Sequence, residues 1–206
     1  MRTEARFTLH GQAIGPSLRI GKVRRSQLGG CPDGGEQALL SSWPLQNESR
    51  AARVWLSYLI RQVRASDGIG VHAVETDCFQ DPYPRKLLED LILTERDSFF
   101  VATVGEEIVG YTVAAASKPS GHVISVAVAP NHRRKGIGAA LLSAVVGRLI
   151  QEGVGVIHLE VRKGNEPAIA FYEQMGFQKS SEIRRYYSDG EDAWVLVRRT
   201  ESSGDR

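Results

Sequence analysis

Apolar residues along the chain change rhythm near Tyr58. Upstream, no helical or alternating period survives more than a few residues, and the text is broken by Gly11, Gly15, Pro16, Gly29, Gly30, Pro32, Gly34 and Gly35. Residues 1–56 therefore read as a disordered or loosely packed extension, 57–200 as one domain and 201–206 as a disordered tail. From Tyr58, "YLIRQVRA" alternates as a half-buried strand does. Asp67 is placed to cap a helix reaching Phe79, with Ile69, Val71, Ala73 and Val74 as its apolar positions. After the turn "QDPYP" comes a second short amphipathic helix, "RKLLEDLILTE". Three strand-like runs follow, "SFFVATV", "EIVGYTVAAA" and "HVISVAVA". A helix from Gly136 to about Glu152 places Ile137, Ala140, Leu141, Ala144, Val145 and Leu149 on one face. Then come a strand, "VGVIHLEV", a short helix, "EPAIAFYEQMG", and two strands in "IRRYYSDGEDAWVLVRR" joined by an Asp-Gly turn. The predicted order is βααβββαβαββ, with no internal repeat.

Charge divides the chain where the rhythm does. Residues 1–56 hold 8 basic and 4 acidic side chains, and the remainder 18 and 20, so the formal net charge of +2 hides a slightly acidic body. Such a body lacks the basic face of a nucleic-acid binder and suits cationic peptide partners. Cys31 and Cys78 form no CxxC pair, and no His/Cys cluster has metal spacing, so neither a disulfide framework nor a metal site is expected. No apolar run reaches about 18 residues and no secretory h-region opens the chain. A reducing, cytoplasmic location without a membrane partner is expected, although the acid-poor "RFTLHGQAIGPSLRIGKVRR" leaves an amphipathic targeting segment open.

The stretch "PNHRRKGIGAALLSAVVGRL" sets three positive charges and two glycines at the start of an apolar-periodic run. Glycines before a helix expose unpaired N–H groups at the positive end of its dipole, which attracts an anion. A Walker loop needs GxxxxGK followed by Ser or Thr, and a dinucleotide fingerprint needs GxGxxG; neither is present. What is present is Arg-x-x-Gly-x-Gly, Arg133 to Gly138, directly after "ISVAVAP".

That motif resembles the acyl-CoA signature of the GNAT acetyltransferase superfamily. The resemblance continues through "LEVRKGNEPAIAFYEQMGF" and covers about Tyr58 to Arg199. It implies an α/β (mixed α+β) fold, with a mixed central sheet of about seven strands flanked by about four helices, and acetyl-CoA as cosubstrate with no metal. The CoA pyrophosphate would lie on Arg133, Arg134, Lys135, Gly136, Ile137, Gly138 and Ala139. Backbone groups of Val126, Ala127 and Val128 would hold the pantetheine and thioester, where "ISVAVA" and "VIHLEV" splay apart. Asn165 would cap the following helix and also reach CoA.

Glu160 and Tyr172 match the base and acid of the ribosomal-protein alanine branch. His158 falls on the same strand face as Glu160 and could assist; His122 and His132 receive no role. "RRYYSDGEDAWVL" resembles the Tyr-Tyr…Glu-Asp-Ala hairpin of archaeal and eukaryotic N-terminal acetyltransferases, which assigns Tyr186 and Tyr187 to the peptide groove. In a regular strand only one of the two can line it. "CFQDPYP" occupies the place of the other peptide wall, making Phe79 and Tyr83 candidates, and departs from the Phe-Pro-Trp-Ser text of the bacterial branch.

The resemblance thus implies acetyl transfer from acetyl-CoA to the N-terminal amine of a protein or peptide, by direct transfer, with room for ribosome or auxiliary-subunit association and no nucleic-acid substrate. Two alternatives stay open: a GNAT acting on lysine or a small amine, and a non-catalytic acyl-CoA-binding sensor.

Overall fold

The structure, a computed structural model, describes residues 58–200 and two short strands, Thr8–Leu9 and Gln12–Ala13, which pair antiparallel. The expected disorder of residues 1–56 and 201–206 otherwise lies outside the described residues. Seven strands form one sheet: β1 (Leu59–Gln62), β2 (Phe99–Val104), β3 (Glu107–Ser117), β4 (Ser120–Val128), β5 (Val156–Arg162), β6 (Gln178–Ile183) and β7 (Ala193–Arg199). Their spatial order is β1-β2-β3-β4-β5-β7-β6, antiparallel except for β4 and β5. Among the described residues the four α-helices are α1 (Gly68–Cys78), α2 (Arg85–Thr94), α3 (Ile137–Gln151) and α4 (Glu166–Gln174), in the predicted order. Among the described residues no helix is long and apolar enough to cross a membrane.

Each sheet face carries its own apolar layer. On one, α3 and α4 bury Leu142, Val145, Leu149 and Ile169 against Val123, Ile157, Leu159 and Leu196. The stripe of α3 is rotated slightly from expectation: Leu142 and Val146 are buried at its centre, while Ala140 and Ala144 sit half-exposed at its margin. On the other face, Val71 and Val74 of α1 and Leu88 and Ile92 of α2 cover Phe99, Val101, Tyr111 and Val113. Ile69 and Ala73 point to solvent instead. Asp67 stands at the N-cap position of α1, but its carboxylate turns back to accept from Arg61 (2.6 and 3.0 Å) and from the Arg64 backbone N–H (2.7 Å).

Two features of the α1 layer bear on the site. Glu75, wholly buried, accepts from the Tyr83 N–H at 2.9 Å and from the Tyr111 hydroxyl, which also meets Ser125 Oγ at 3.0 Å. Burial pushes its carboxyl up, although both hydrogen bonds oppose this. The second feature is a bulge in β4: Val113 pairs with Ser125 and Ala114 with Val123, leaving Ile124 over. Side chains alternate faces along a strand, so one extra residue reverses the parity. Val123 packs toward α3, whereas Ala127, an even number of residues later, packs toward α1.

The end of the sheet corrects one expectation. β6 is "QKSSEI", ending at Ile183, and residues 184–192 form an irregular loop rather than strand. Arg185 at φ +50 and Gly190 at φ +85 break the extended path, and Gly190 N–H donates to the Tyr187 carbonyl at 2.8 Å. The Asp-Gly turn exists, but it closes this loop instead of joining two strands directly.

Candidate active site

Only three rungs join β4 to β5, the last of them His122 to His158. β4 runs on to Val128 and β5 to Arg162, so the strands part and leave main-chain donors and acceptors facing a gap. A cleft of about 500 Å³ opens there, lined among others by Val126, Glu160, Asn165, Tyr172, Phe79, Tyr186 and Tyr187. The expected splay is thus present, and these seven candidates share one cavity.

At its base Glu160 Oε2 lies 2.7 Å from His122 Nε2, both side chains about 15% exposed. Residues two apart on β5 face the same way, so His158 joins Glu160, and its ring stacks on His122 with centroids 4.7 Å apart and planes within 2°. Burial alone would raise the Glu160 carboxyl; the hydrogen bond and charge of His122, with the charge of His158, outweigh it and hold the group below the usual glutamate value. Burial and the neighbouring His122 keep His158 below the ordinary histidine value, so it favours the neutral ring. Tyr172 packs between Phe171 and Phe177, and burial pushes its hydroxyl up to about 12. It therefore keeps its proton at neutral pH and can donate.

The two walls come from opposite ends of the chain. Arg162, at the end of β5, donates to Asp189 Oδ2 and Glu191 Oε2, both at 2.7 Å, and lies 3.9 Å over the Tyr187 ring. Glu191 Oε1 accepts from the Gly164 N–H at 2.9 Å, which ties the loop to the turn before α4. Because this loop is irregular, both Tyr186 and Tyr187 line the cleft, against the expectation that one would turn away. On the other wall stand Phe79, Gln80 and Asp81. Ser188 Oγ approaches Asp81 Oδ2 at 3.4 Å, so the walls meet over the cavity. Tyr83 does not line the cleft: it is 2% exposed and packs in the α1–α2 core, because Glu75 anchors its backbone N–H inward.

The glycine-rich turn lies at the far end of β4. Arg134 at φ +62 and Gly136 at φ +83 bend the chain so that Ile137, Gly138 and Ala139 open α3 with their N–H groups outward. At Gly136 such a φ favours glycine. A Cβ on Gly138 would sit 3.6 Å from Phe171, so the helix start lies against α4. Arg133 and Lys135 are less free than their exposure suggests: Arg133 Nε donates to the Val128 carbonyl at 2.9 Å, and Lys135 Nζ to the Asn131 carbonyl at 2.8 Å. They brace the turn as well as charging it. The Val128 carbonyl also accepts from Cys78 Sγ at 3.3 Å, and the Ala127 side chain is buried, which leaves it only its main chain to offer. Asn165 caps α4, accepting from the Ala168 N–H at 3.2 Å.

Sequence reasoning missed His122 and Arg162. His122 stands 38 residues from Glu160, and no spacing rule connects them; the parallel rung does. The Arg162 clamp was signalled by the acidic "SDGEDA" once a basic partner was sought at the end of β5.

The profile of the acetyltransferase (GNAT) family matches residues 69–177. An N-alpha-acetyltransferase of Sulfurisphaera tokodaii is 32% identical over 163 residues, covering 73% of this chain and 98% of its own. The ribosomal protein bS18 alanine N-acetyltransferase of Escherichia coli is 34% identical over 106 residues, 50% of this chain and 72% of its own. Among solved structures, Ard1 of Thermoplasma volcanium superposes with a TM-score of 0.67 at 29% identity, covering 69% of this chain and 97% of that one.

Proposed function

Because the chain belongs to the acetyltransferase (GNAT) family, and so is an N-acetyltransferase, we propose that it transfers acetyl from acetyl-CoA to the α-amine of a protein or peptide N-terminus. The observation that carries this reading is Glu160, held by His122 at the base of a cleft whose two walls meet above it. The N-alpha-acetyltransferase and alanine N-acetyltransferase relatives support the same class of acceptor.

The chemistry follows from the placement. Backbone N–H groups at the start of α3 and the charges of Arg133, Arg134 and Lys135 receive the diphosphate of the cosubstrate. Main chain of Val126 to Val128 on the parted strand holds its arm and polarises the thioester oxygen. The acceptor amine attacks the carbonyl carbon, its nitrogen loses a proton to Glu160, the carbon–sulfur bond breaks, and Tyr172 donates a hydrogen bond to the departing sulfur.

Glu160 is a weak base, which bears on the acceptor. An α-amine near 7.7–8 is about a tenth neutral at pH 7, whereas a lysine near 10.4 is neutral in less than about one part in a thousand. The difference of about 2.5 units, near 3.5 kcal/mol, favours an N-terminus. Peptides with free and blocked N-termini, each containing lysine, test the reading by mass spectrometry of the product. Acetylation of the free α-amine alone is expected; acetylation of the blocked peptide would overturn it.

A further inference from the structure

His122, His158 and Glu160 present another chemistry besides proton transfer. One ring nitrogen from each imidazole and one carboxylate oxygen all lie within 4.8 Å of one another. The three side chains stand on two strands paired at that rung, so their spacing is set by the sheet and not by a loop. Two imidazoles and one carboxylate suit Zn²⁺ with one position left open, whereas Mg²⁺ and Ca²⁺ seek oxygen ligands. We propose that His122, His158 and Glu160 bind a Zn²⁺ ion at the base of the cleft, and that the bound ion switches acetyl transfer off.

The site is not preset in metal geometry. Ligand atoms around tetrahedral Zn²⁺ stand about 3.4 Å apart, as bond lengths near 2.0–2.1 Å require. The 2.7 Å contact of His122 with Glu160 therefore opens when the ion enters. Lone pairs of the stacked rings lie in parallel planes and do not converge, so each ring turns about its Cβ–Cγ bond on binding. Of the three ligands Glu160 lines the cleft, so an ion on its carboxylate stands where the cleft meets the two histidines. The ion then holds the carboxylate lone pair that would take the acceptor's proton, and occupies the acceptor's place. This second half rests on the reading of Glu160 as the base; the binding half does not.

The test uses the full chain, stripped with EDTA and titrated with zinc sulfate against a chromophoric zinc indicator, and with cobalt(II) as a spectroscopic probe. One equivalent is expected, with cobalt d–d bands of a nitrogen–oxygen site and no competition from Mg²⁺. His158→Phe keeps a flat ring against His122 but removes the ligand, and is expected to weaken zinc binding at least about tenfold. Absence of stoichiometric binding, or unchanged affinity in His158→Phe, overturns the site. Zinc inhibition of peptide acetylation, reversed by EDTA and following the binding curve, supports the switch; full activity of the zinc-loaded protein overturns it. A metal-free protein that binds zinc through His158 but acetylates no peptide keeps the site and overturns the proposed function instead.

Discussion

On the proposed reaction, replacing Glu160 with Gln removes the proton acceptor and little else. The carboxamide keeps the shape of the side chain and an oxygen that can still accept from His122, so the cleft and the fold survive. The magnitude follows from the group's surroundings. A carboxylate held below the ordinary glutamate value lies at least about 3 units under an acceptor α-amine near 7.7–8. Taking the proton before attack is therefore uphill; the base helps only as bond formation makes the nitrogen acidic. General-base catalysis contributes about 10² to 10⁴, and so weak a base belongs at the lower end, near 10² or about 2.7 kcal/mol. The assay follows release of the CoA thiol at saturating acetyl-CoA while peptide is varied. kcat is expected to fall about a hundredfold, with the KM for acetyl-CoA within about twofold, because the α3 turn is untouched. A kcat within about threefold of the parent would refute Glu160 as the base.

If Tyr172 donates to the departing sulfur, as proposed, Tyr172→Phe should lower kcat about tenfold, as one hydrogen bond of about 1–1.5 kcal/mol implies, in the same thiol assay. Arg162→Lys gives up the planar guanidinium stacked on Tyr187 and moves the charge that one nitrogen, Nη1, brings to both Asp189 and Glu191; if the loop is the peptide wall, as proposed, the peptide KM should rise about fivefold while the KM for acetyl-CoA stays. Gly136→Ala finds space, its nearest neighbour being Tyr58 Oη at 3.5 Å, but must adopt φ +83 at a cost of about 1–2 kcal/mol, read as a lower Tm and a higher KM for acetyl-CoA. At Asp67, burial would raise the carboxyl, but the hydrogen bonds and charges of Arg61 and Arg64 hold it below its ordinary value. A depressed folded value gives stability that is present at neutral pH and lost as pH falls below about 3.9 through the folded value. Asp67→Asn should therefore cost about 2 kcal/mol in urea denaturation at pH 7, and nothing once the parent carboxyl is protonated.

The order of elements was legible because most of them keep an unambiguous period: α3 shows four-residue spacing from Ile137 through Leu141 and Val145 to Leu149, and β3 and β4 are long β-branched runs. β6 was missed because "QKSSEI" is exposed at every position at the sheet edge and so carries no alternation for a core to impose. The Tyr186–Tyr187 pair was read by strand parity, a rule that fails where Arg185 and Gly190 take positive φ. Tyr83 was assigned to a wall on its place in the turn; the buried carboxylate that draws it inward sits eight residues earlier on a helix and leaves no local sign. That Glu160, Tyr172 and Asn165 share one cleft was legible from the motif on β5 and α4. Their partner His122 was not, because a contact across two parallel strands is a property of register, which no single stretch contains.

The extra residue at Ile124 has a consequence for how β4 responds to mutation. Upstream of it, His122 turns to Glu160; downstream, Ser125 is locked to Tyr111, and the strand end carries Val128 into the turn before α3. Exchanging the side chain at 124 leaves that division intact. Removing the residue turns the two halves out of phase, so that either the histidine or the strand end faces the wrong side of the sheet. At this point the strand is constrained in length more than in letters. A one-codon deletion there should silence the protein where many substitutions pass, as a deletion and substitution scan read by peptide acetylation would show.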